Sequence, residues 1–190
     1  MNRLMEVDNW KFDKKYVFCK GNVEKEGENI MLIRKATMDD LKAIAELEKI
    51  CFVPEKAASE ASYKERLTYF ADHFWLMFDG DKLISFVIGF VTDEADLTDE
   101  MFAHADMHDE NGAWQMIFSV GTHPEYQKKG YAGQLMEKMV EDARQQGRKG
   151  LVLTCKEEKL HYYGKFGFEN EGVSVSDHGG VVWYQMRLTF

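Results

Sequence analysis

Residues 127–133, Gln-Lys-Lys-Gly-Tyr-Ala-Gly, place two cations and two glycines between an apolar run (Met116, Ile117, Phe118, Val120) and the helix-like segment GQLMEKMVEDARQQ. A buried strand that opens a helix through such a loop leaves the first backbone N–H groups of the helix without partners, at the positive end of its dipole. Gly130 has no Cβ and Ala132 almost no side chain, so a ligand can approach the backbone closely. Lys128 and Lys129 add charge of the same sign. The chemistry on offer is the binding of a phosphate or pyrophosphate. The mononucleotide loop needs a Lys-Ser or Lys-Thr after its glycines, and the dinucleotide fingerprint needs G-x-G-x-x-G; neither occurs here.

Further groups could act on a ligand held there. Tyr162 and Tyr163 stand in LHYYGKFGF, shortly after the strand-like LVLTC that ends at Cys155. Glu55 stands in CFVPEKAAS, and His104 and His108 stand in an acidic stretch, residues 93–112. The histidine spacing matches no metal-binding motif, so no metal is expected. Cys155 on an apolar strand reads as an inert core thiol rather than a nucleophile. The acidic stretch reads as a solvated loop with a short helix, in preference to a rim that gathers amines.

Alternating strand and helix signals must position these residues. Leu32–Lys35 suits a first strand, and Thr37-x-x-Asp40 resembles a capping box. Leu41, Ile44, Ala45 and Glu48 follow at helical spacing to about Ile50, where Pro54 breaks the pattern. Ser59 or Ser62 can cap a second helix through Tyr69. Residues 74–78 and 83–91 read as a hairpin around Asp79-Gly80-Asp81. After the loop, Leu135, Met136, Met139, Val140 and Ala143 form one helical face that Gly147 ends. Two strands near 173–176 and 181–188 close the chain, with Asp177-His178-Gly179-Gly180 as their turn. Residues 1–30 stand apart: Trp10, Phe12, Tyr16 and Phe18 are spaced as on a strand face, with a turn at Gly21-Asn22. They read as an N-terminal extension, a structural addition to a domain over 31–190.

The order Q-x-x-G-x-A after an apolar strand, then Tyr163-Gly164-Lys165-Phe166-Gly167-Phe168 after the next strand, resembles the GNAT acetyltransferase superfamily over residues 31–190. CFVPEKAAS and CKEEKLHYYGKFGF are similar to stretches of its arylalkylamine N-acetyltransferase-like group. The resemblance implies an α/β (α+β) fold. Its mixed, mostly antiparallel central sheet is splayed between strands 4 and 5 and flanked by helices. It implies acetyl-CoA, or coenzyme A, held by Val120, Thr122, Gln127, Lys128, Lys129, Gly130, Tyr131, Ala132 and Gly133. Pantetheine would pair with the backbone near Val120 and Thr122 like an added strand, with Gly121 suited to a bulge. The Val120 N–H would be the oxyanion donor, and Tyr163 would protonate the leaving thiolate; Tyr162 is the expected core residue. The arylalkylamine enzymes carry two histidines at positions matching Met116 and Phe118, so the base must come from elsewhere here, with Glu55 as the candidate.

The implied activity is direct acetyl transfer to the primary amine of a small molecule. A non-catalytic acyl-CoA sensor and a protein N-terminal acetyltransferase are the alternatives. The net charge of −9 argues against nucleic acid and would attract a cationic substrate. No apolar run approaches the ~20 residues of a membrane span, and the N-terminus has no signal-peptide core. Three widely spaced cysteines without C-x-x-C point to a reducing cytoplasm rather than a disulfide framework or zinc site. A homodimer is left open.

Overall fold

A computed structural model describes residues 31–53, 57–176 and 178–190. The expected hairpin within 1–30 and Glu55 lie outside the described residues. Strands β1 (Met31–Lys35), β2 (Phe74–Asp79), β3 (Lys82–Thr92), β4 (Trp114–Thr122), β5 (Gly150–Cys155), β6 (Glu169–Val173) and β7 (Tyr184–Thr189) form one sheet. Their spatial order is β1-β2-β3-β4-β5-β7-β6. Only the β4–β5 pair is parallel. That pair needs a crossover, and helix α4 (Tyr131–Gln145) supplies it.

The helices cover both faces. Helices α1 (Leu41–Cys51) and α2 (Glu60–Phe70) pack with the short α3 (Glu100–Ala103) on one face, around Ile44, Leu47, Tyr63, Phe70, Phe86 and Phe90. Helix α4 and the short α5 (Leu160–Gly164) cover the other, around Trp75, Met77, Leu135, Met136, Met139 and Leu153. Because both faces are covered, the central strands read as continuous apolar runs rather than alternating ones. The local signals act as their chemistry requires. Asp40 accepts from the Thr37 N–H at 2.8 Å and takes a two-pronged bond from Arg34. Ser59, not Ser62, caps α2 by accepting from the Ser62 N–H. Gly147, at φ +74°, closes the end of α4.

One expectation about the strands changes here. The penultimate strand is Glu169–Val173, not 173–176, and Val173 and Val175 are exposed. As an edge strand with both faces open to water, β6 has no buried side to impose an apolar alternation. The 93–112 stretch carries the expected short helix and keeps most of its acids exposed, but it is also anchored to the core. Leu97 and Met101 are fully buried in the α1/α2-side core. Three of its acids make bonds to side chains outside the stretch: Asp96 to Arg187, Asp99 to the Ser176 hydroxyl, Glu110 to Arg148 and His73.

The β3–β4 ladder slips at one place: Ile88 pairs with Ser119 and Gly89 with Ile117, so Phe118 is the extra residue of a bulge. Gly121, where a bulge suited the sequence, instead pairs regularly, and a Cβ there would lie 2.6 Å from the Phe86 ring. Gly89 carries the closer approach, since a Cβ would lie 1.7 Å from the Met116 carbonyl oxygen. Gly89→Ala should therefore lower stability by about 3 kcal/mol, toward the upper end for overpacking, because backbone rather than a side chain must move. Thermal unfolding monitored by circular dichroism checks this; an unchanged midpoint would refute the close approach.

Candidate active site

The β4–β5 ladder runs only from the Trp114–Gly150 pair to the Ile117–Leu153 pair. Beyond it the two strands part, while β4 continues to Thr122 and stays paired with β3. This is the splay implied by the resemblance, and it leaves the far edge of residues 118–122 without a strand partner. Which groups face the gap follows from strand parity. The His123 N–H donates to the Ile84 carbonyl at 2.8 Å, so residues 123, 121 and 119 turn their polar groups toward β3. Val120 and Thr122 then turn theirs toward the gap. The Thr122 carbonyl accepts from the Gln127 side-chain amide at 3.1 Å, which ties the loop to the strand end.

The loop itself is built from two left-handed residues. Lys128 has φ +60° and Gly130 φ +86°, the latter at the N-cap of α4. Such alternation gathers consecutive N–H groups into an anion-binding concavity. The first α4 hydrogen bond is given by Gln134 to the Gly130 carbonyl, so the N–H groups of Ala132 and Gly133 precede the intrahelical ladder. A Cβ at Gly130 would meet nothing within 4 Å, and residues 127–130 are exposed. The cradle is open, and its backbone donors and lysines suit an anion.

Helix α5 is drawn to that cradle by packing. The Phe166 ring, just after α5, lies at ordinary contact distance, 3.5 Å, from where a Cβ on Gly133 in the first turn of α4 would stand. Tyr163 packs on the same core cluster as Val120 and Tyr131, with its ring edge-on to Phe168 at 6.2 Å. Burial, with Tyr162 and Cys155 nearby, pushes its phenol well above the ordinary tyrosine value. Tyr162 instead rests edge-on against Phe166 and Tyr163. The expectation that Tyr162 is the core residue is thus reversed: Tyr163 is the one packed on the core. Burial also raises the Cys155 thiol to about 11, and it sits 3.6 Å from the Met186 sulfur, which leaves little thiolate at neutral pH.

On the opposite face of β4 lies a group that the motifs did not single out. Glu48 is buried on α1; its Oε1 accepts from the Ala58 N–H at 3.1 Å, and its Oε2 is buried without a partner. Tyr63 on α2 is fully buried with an unpartnered hydroxyl, in electrostatic contact with Glu48 and Ser119. Arg66, one turn on, lies 5.7 Å from the centre of the Phe118 ring. Desolvation raises the Glu48 carboxyl above its ordinary value, although Ala58, Tyr63 and Arg66 pull the other way. One signal was present in the sequence. Glu48 occupies the apolar stripe of α1, where a carboxylate is out of place unless it has a task. Around these groups Phe70, Phe90, Phe102 and Phe118 make an aromatic wall.

A second polar cluster sits at the start of β4, about 25 Å of strand away from the loop. His73, His108 and Glu110 bring ligand atoms within 4.8 Å of one another. Their hydrogen bonds, however, use the nitrogens. The Gln115 amide nitrogen donates to the Phe90 and Met116 carbonyls, so its oxygen accepts from His73 Nδ1. The Val91 N–H donates to His108 Nδ1, which puts that ring's hydrogen on Nε2. His73 Nε2 lies 2.8 Å from Glu110, the separation of a shared proton and shorter than two ligands about an ion. Arg148 holds the other Glu110 oxygen at 2.6 Å. This cluster ties the 108–112 segment to the turn between α2 and β2, to β3 and β4, and to the turn between α4 and β5.

Among the described residues no helix is long and apolar enough to cross a membrane. Comparison with curated protein sequences gives no match. The fold is shared with solved structures of low identity. The loading GNATL domain of CurA from Lyngbya majuscula superposes with a TM-score of 0.73 at 16% identity, over 85% of this chain and 98% of that one. The GphF GNAT-like decarboxylase, solved with isobutyryl-CoA, gives 0.69 at 19% identity, over 83% and 98%. Arabidopsis thaliana Naa50, solved with the bisubstrate analogue CoA-Ac-MVNAL, gives 0.64 at 15%, over 84% and 99%. Residues 41–168, from the first helix through the second aromatic motif, match the family model described as Acetyltransferase (GNAT) family. With the parted β4–β5 pair and the left-handed glycine opening α4, that match places the chain in the GNAT acetyltransferase family.

Proposed function

We propose that this protein is an acetyl-CoA-dependent N-acetyltransferase that acetylates the primary amine of a small molecule by direct transfer. The observation that carries the reading is the gap where β4 and β5 part beyond Ile117 and Leu153, with the Lys128–Gly133 loop following the end of β4. The cofactor supplies an acyl group activated as a thioester. The N–H groups of Ala132 and Gly133, with Lys128 and Lys129, hold its pyrophosphate. The Val120 and Thr122 backbone groups hold the pantetheine arm in the gap. The Val120 N–H is then placed to donate to the thioester oxygen as charge gathers there. Tyr163, kept protonated by burial, gives its proton to the departing sulfur.

The amine must lose a proton before it attacks, since its ammonium form has no lone pair. Glu48 is assigned this task, with the Tyr63 and Ser119 hydroxyls available to relay to it. It replaces the Glu55 candidate of the sequence reading, which lies outside the described residues. The aromatic wall at Phe118 suits an apolar substrate body, which is in keeping with the resemblance to the arylalkylamine branch.

Two measurements test the proposal. Calorimetry with acetyl-CoA should show binding, and free-thiol release over a panel of primary amines and short peptides should show turnover. No binding at millimolar acetyl-CoA would overturn the reading, and tight binding without thiol release on any acceptor would favour an acyl-CoA sensor. Glu48→Gln should lower turnover by roughly a hundredfold, the low end for acid–base catalysis. A base works only when ionised, and the Glu48 pKa is raised. The acid limb of the wild-type rate profile should therefore lie above the usual carboxylate range, and the variant should lack it. The same raised pKa means that folding favours the protonated carboxyl. The ionised form is the penalised one as pH rises, so the neutral glutamine should keep or raise the thermal midpoint at neutral pH. A limb that persists in Glu48→Gln would remove Glu48 from the mechanism.

A further inference from the structure

Arg66 is only 7% exposed, yet among the described residues no carboxylate lies within ion-pair distance of it. Its one hydrogen bond runs from Nη2 to the Phe102 carbonyl at 2.9 Å. A guanidinium has five N–H donors and cannot shed its charge in a protein. Burying such a group is costly unless an anion accompanies it. The Tyr63 and Phe118 rings, at 5.6 and 5.7 Å, offset part of that cost as cation–π partners but supply no acceptor. Glu48 and the exposed Glu65 act on Arg66 only at a distance. None of its nitrogens is among the sealed, unpartnered atoms of the interior, so its free donors reach open space. What the pocket lacks is an acceptor with two oxygens.

The position of Arg66 sets what that acceptor is part of. Phe118, beneath it, is two residues before Val120 on β4, so the guanidinium lies on the order of 10 Å from the gap. We propose that Arg66 binds a carboxylate carried by a reactant whose apolar body lies against Phe102 and Phe118 and whose reacting end lies at Val120. The placement of the reacting end rests on the transferase reading above. A carboxylate at that range can belong to the acceptor, an amine that is also an acid, or to the acyl group of a dicarboxylic acyl-CoA. Either case overrides the simple expectation from net charge, because a buried cation acts at contact whereas the negative surface acts at range and is screened.

Two arms separate the sources. In the first, thiol release from acetyl-CoA is compared for amines with and without a carboxylate: phenylalanine against phenethylamine, leucine against isopentylamine, 6-aminohexanoate against hexylamine. In the second, calorimetry compares malonyl- and succinyl-CoA with acetyl- and butyryl-CoA. In one arm the wild type should favour the carboxylate partner at least tenfold, in kcat/KM or in Kd. Arg66→Gln should bring that ratio close to one, and Arg66→Lys, which keeps the charge and loses the planar fork, should keep part of it. Preference in the first arm assigns the carboxylate to the acceptor, and in the second to the acyl group. No preference in either arm, or a preference that survives Arg66→Gln, overturns the assignment. Should Arg66→Gln fail to fold, the wild-type ratios and the lysine variant decide. Acetyl-CoA binding without thiol release sinks the transferase reading while the second arm still tests Arg66. Normal turnover without carboxylate preference sinks the Arg66 assignment alone.

Discussion

Gly130→Asp should reduce acetyl-CoA affinity by a hundredfold or more while leaving the fold intact. Gly130 sits at φ +86°, a conformation that L-residues other than Asn and Asp seldom adopt, so Asp strains the backbone less than most replacements would. A Cβ there has no neighbour within 4 Å, so no clash inside the protein contributes. What changes is charge: a carboxylate enters a concavity whose N–H groups and lysines select anions. At ~5 Å from a phosphate charge, and at the effective dielectric of a protein surface, the repulsion is about 3 kcal/mol. Gly130→Asn is the matched control. It fits the left-handed turn equally well and carries no charge, so its affinity should fall by less than about tenfold. Calorimetry on the three proteins reads the difference directly. Equal affinities for Asp and Asn would mean that the pyrophosphate does not lie at this loop.

Tyr163→Phe should lower turnover by roughly a hundredfold or more, within the range of general acid catalysis, with acetyl-CoA affinity nearly unchanged. The substitution keeps the ring that packs on the Val120 and Tyr131 cluster and removes only the hydroxyl. The pH dependence follows from burial. An acid must be protonated to act, and the phenol is raised well above its ordinary value of ~10. Tyr163 should therefore impose no alkaline limb on the wild-type profile below about pH 10. Loss of the hydroxyl should then lower the rate by a constant factor across that range. Tyr162→Phe, at the ring edge-on to Phe166, should change turnover by less than about threefold, since it makes none of the proposed contacts. Equal effects at the two positions would reduce Tyr163 to a packing residue.

The loop and the fold around it were legible because their signals are local. A glycine needed at positive φ, small residues at a helix start, paired lysines and an apolar strand before them all lie within twenty residues. Backbone chemistry alone gives that arrangement a meaning. The aromatic run at 163–168 was legible for the same reason, and its order after the loop completed the family pattern. The capping signals at Thr37 and Ser59 and the stop at Gly147 are local as well, and each appears where its residue type requires.

Three features were decided only by tertiary structure. The bulge falls at Phe118 and not at Gly121, because the slip is set by how closely Gly89 lets β3 approach Met116 and by the Phe86 ring that fills the space over Gly121. The acidic stretch is anchored as well as solvated, because Leu97 and Met101 find the core and Arg148 and Arg187 meet two of its carboxylates across more than thirty-five residues of sequence. The polar pocket of Glu48, Tyr63 and Arg66 belongs to two helices packed on a third element. In sequence these residues look like one stray carboxylate on an apolar stripe and two ordinary helix positions. Their meaning is desolvation, and desolvation is a property of what surrounds a group in space, which composition and periodicity along the chain do not carry.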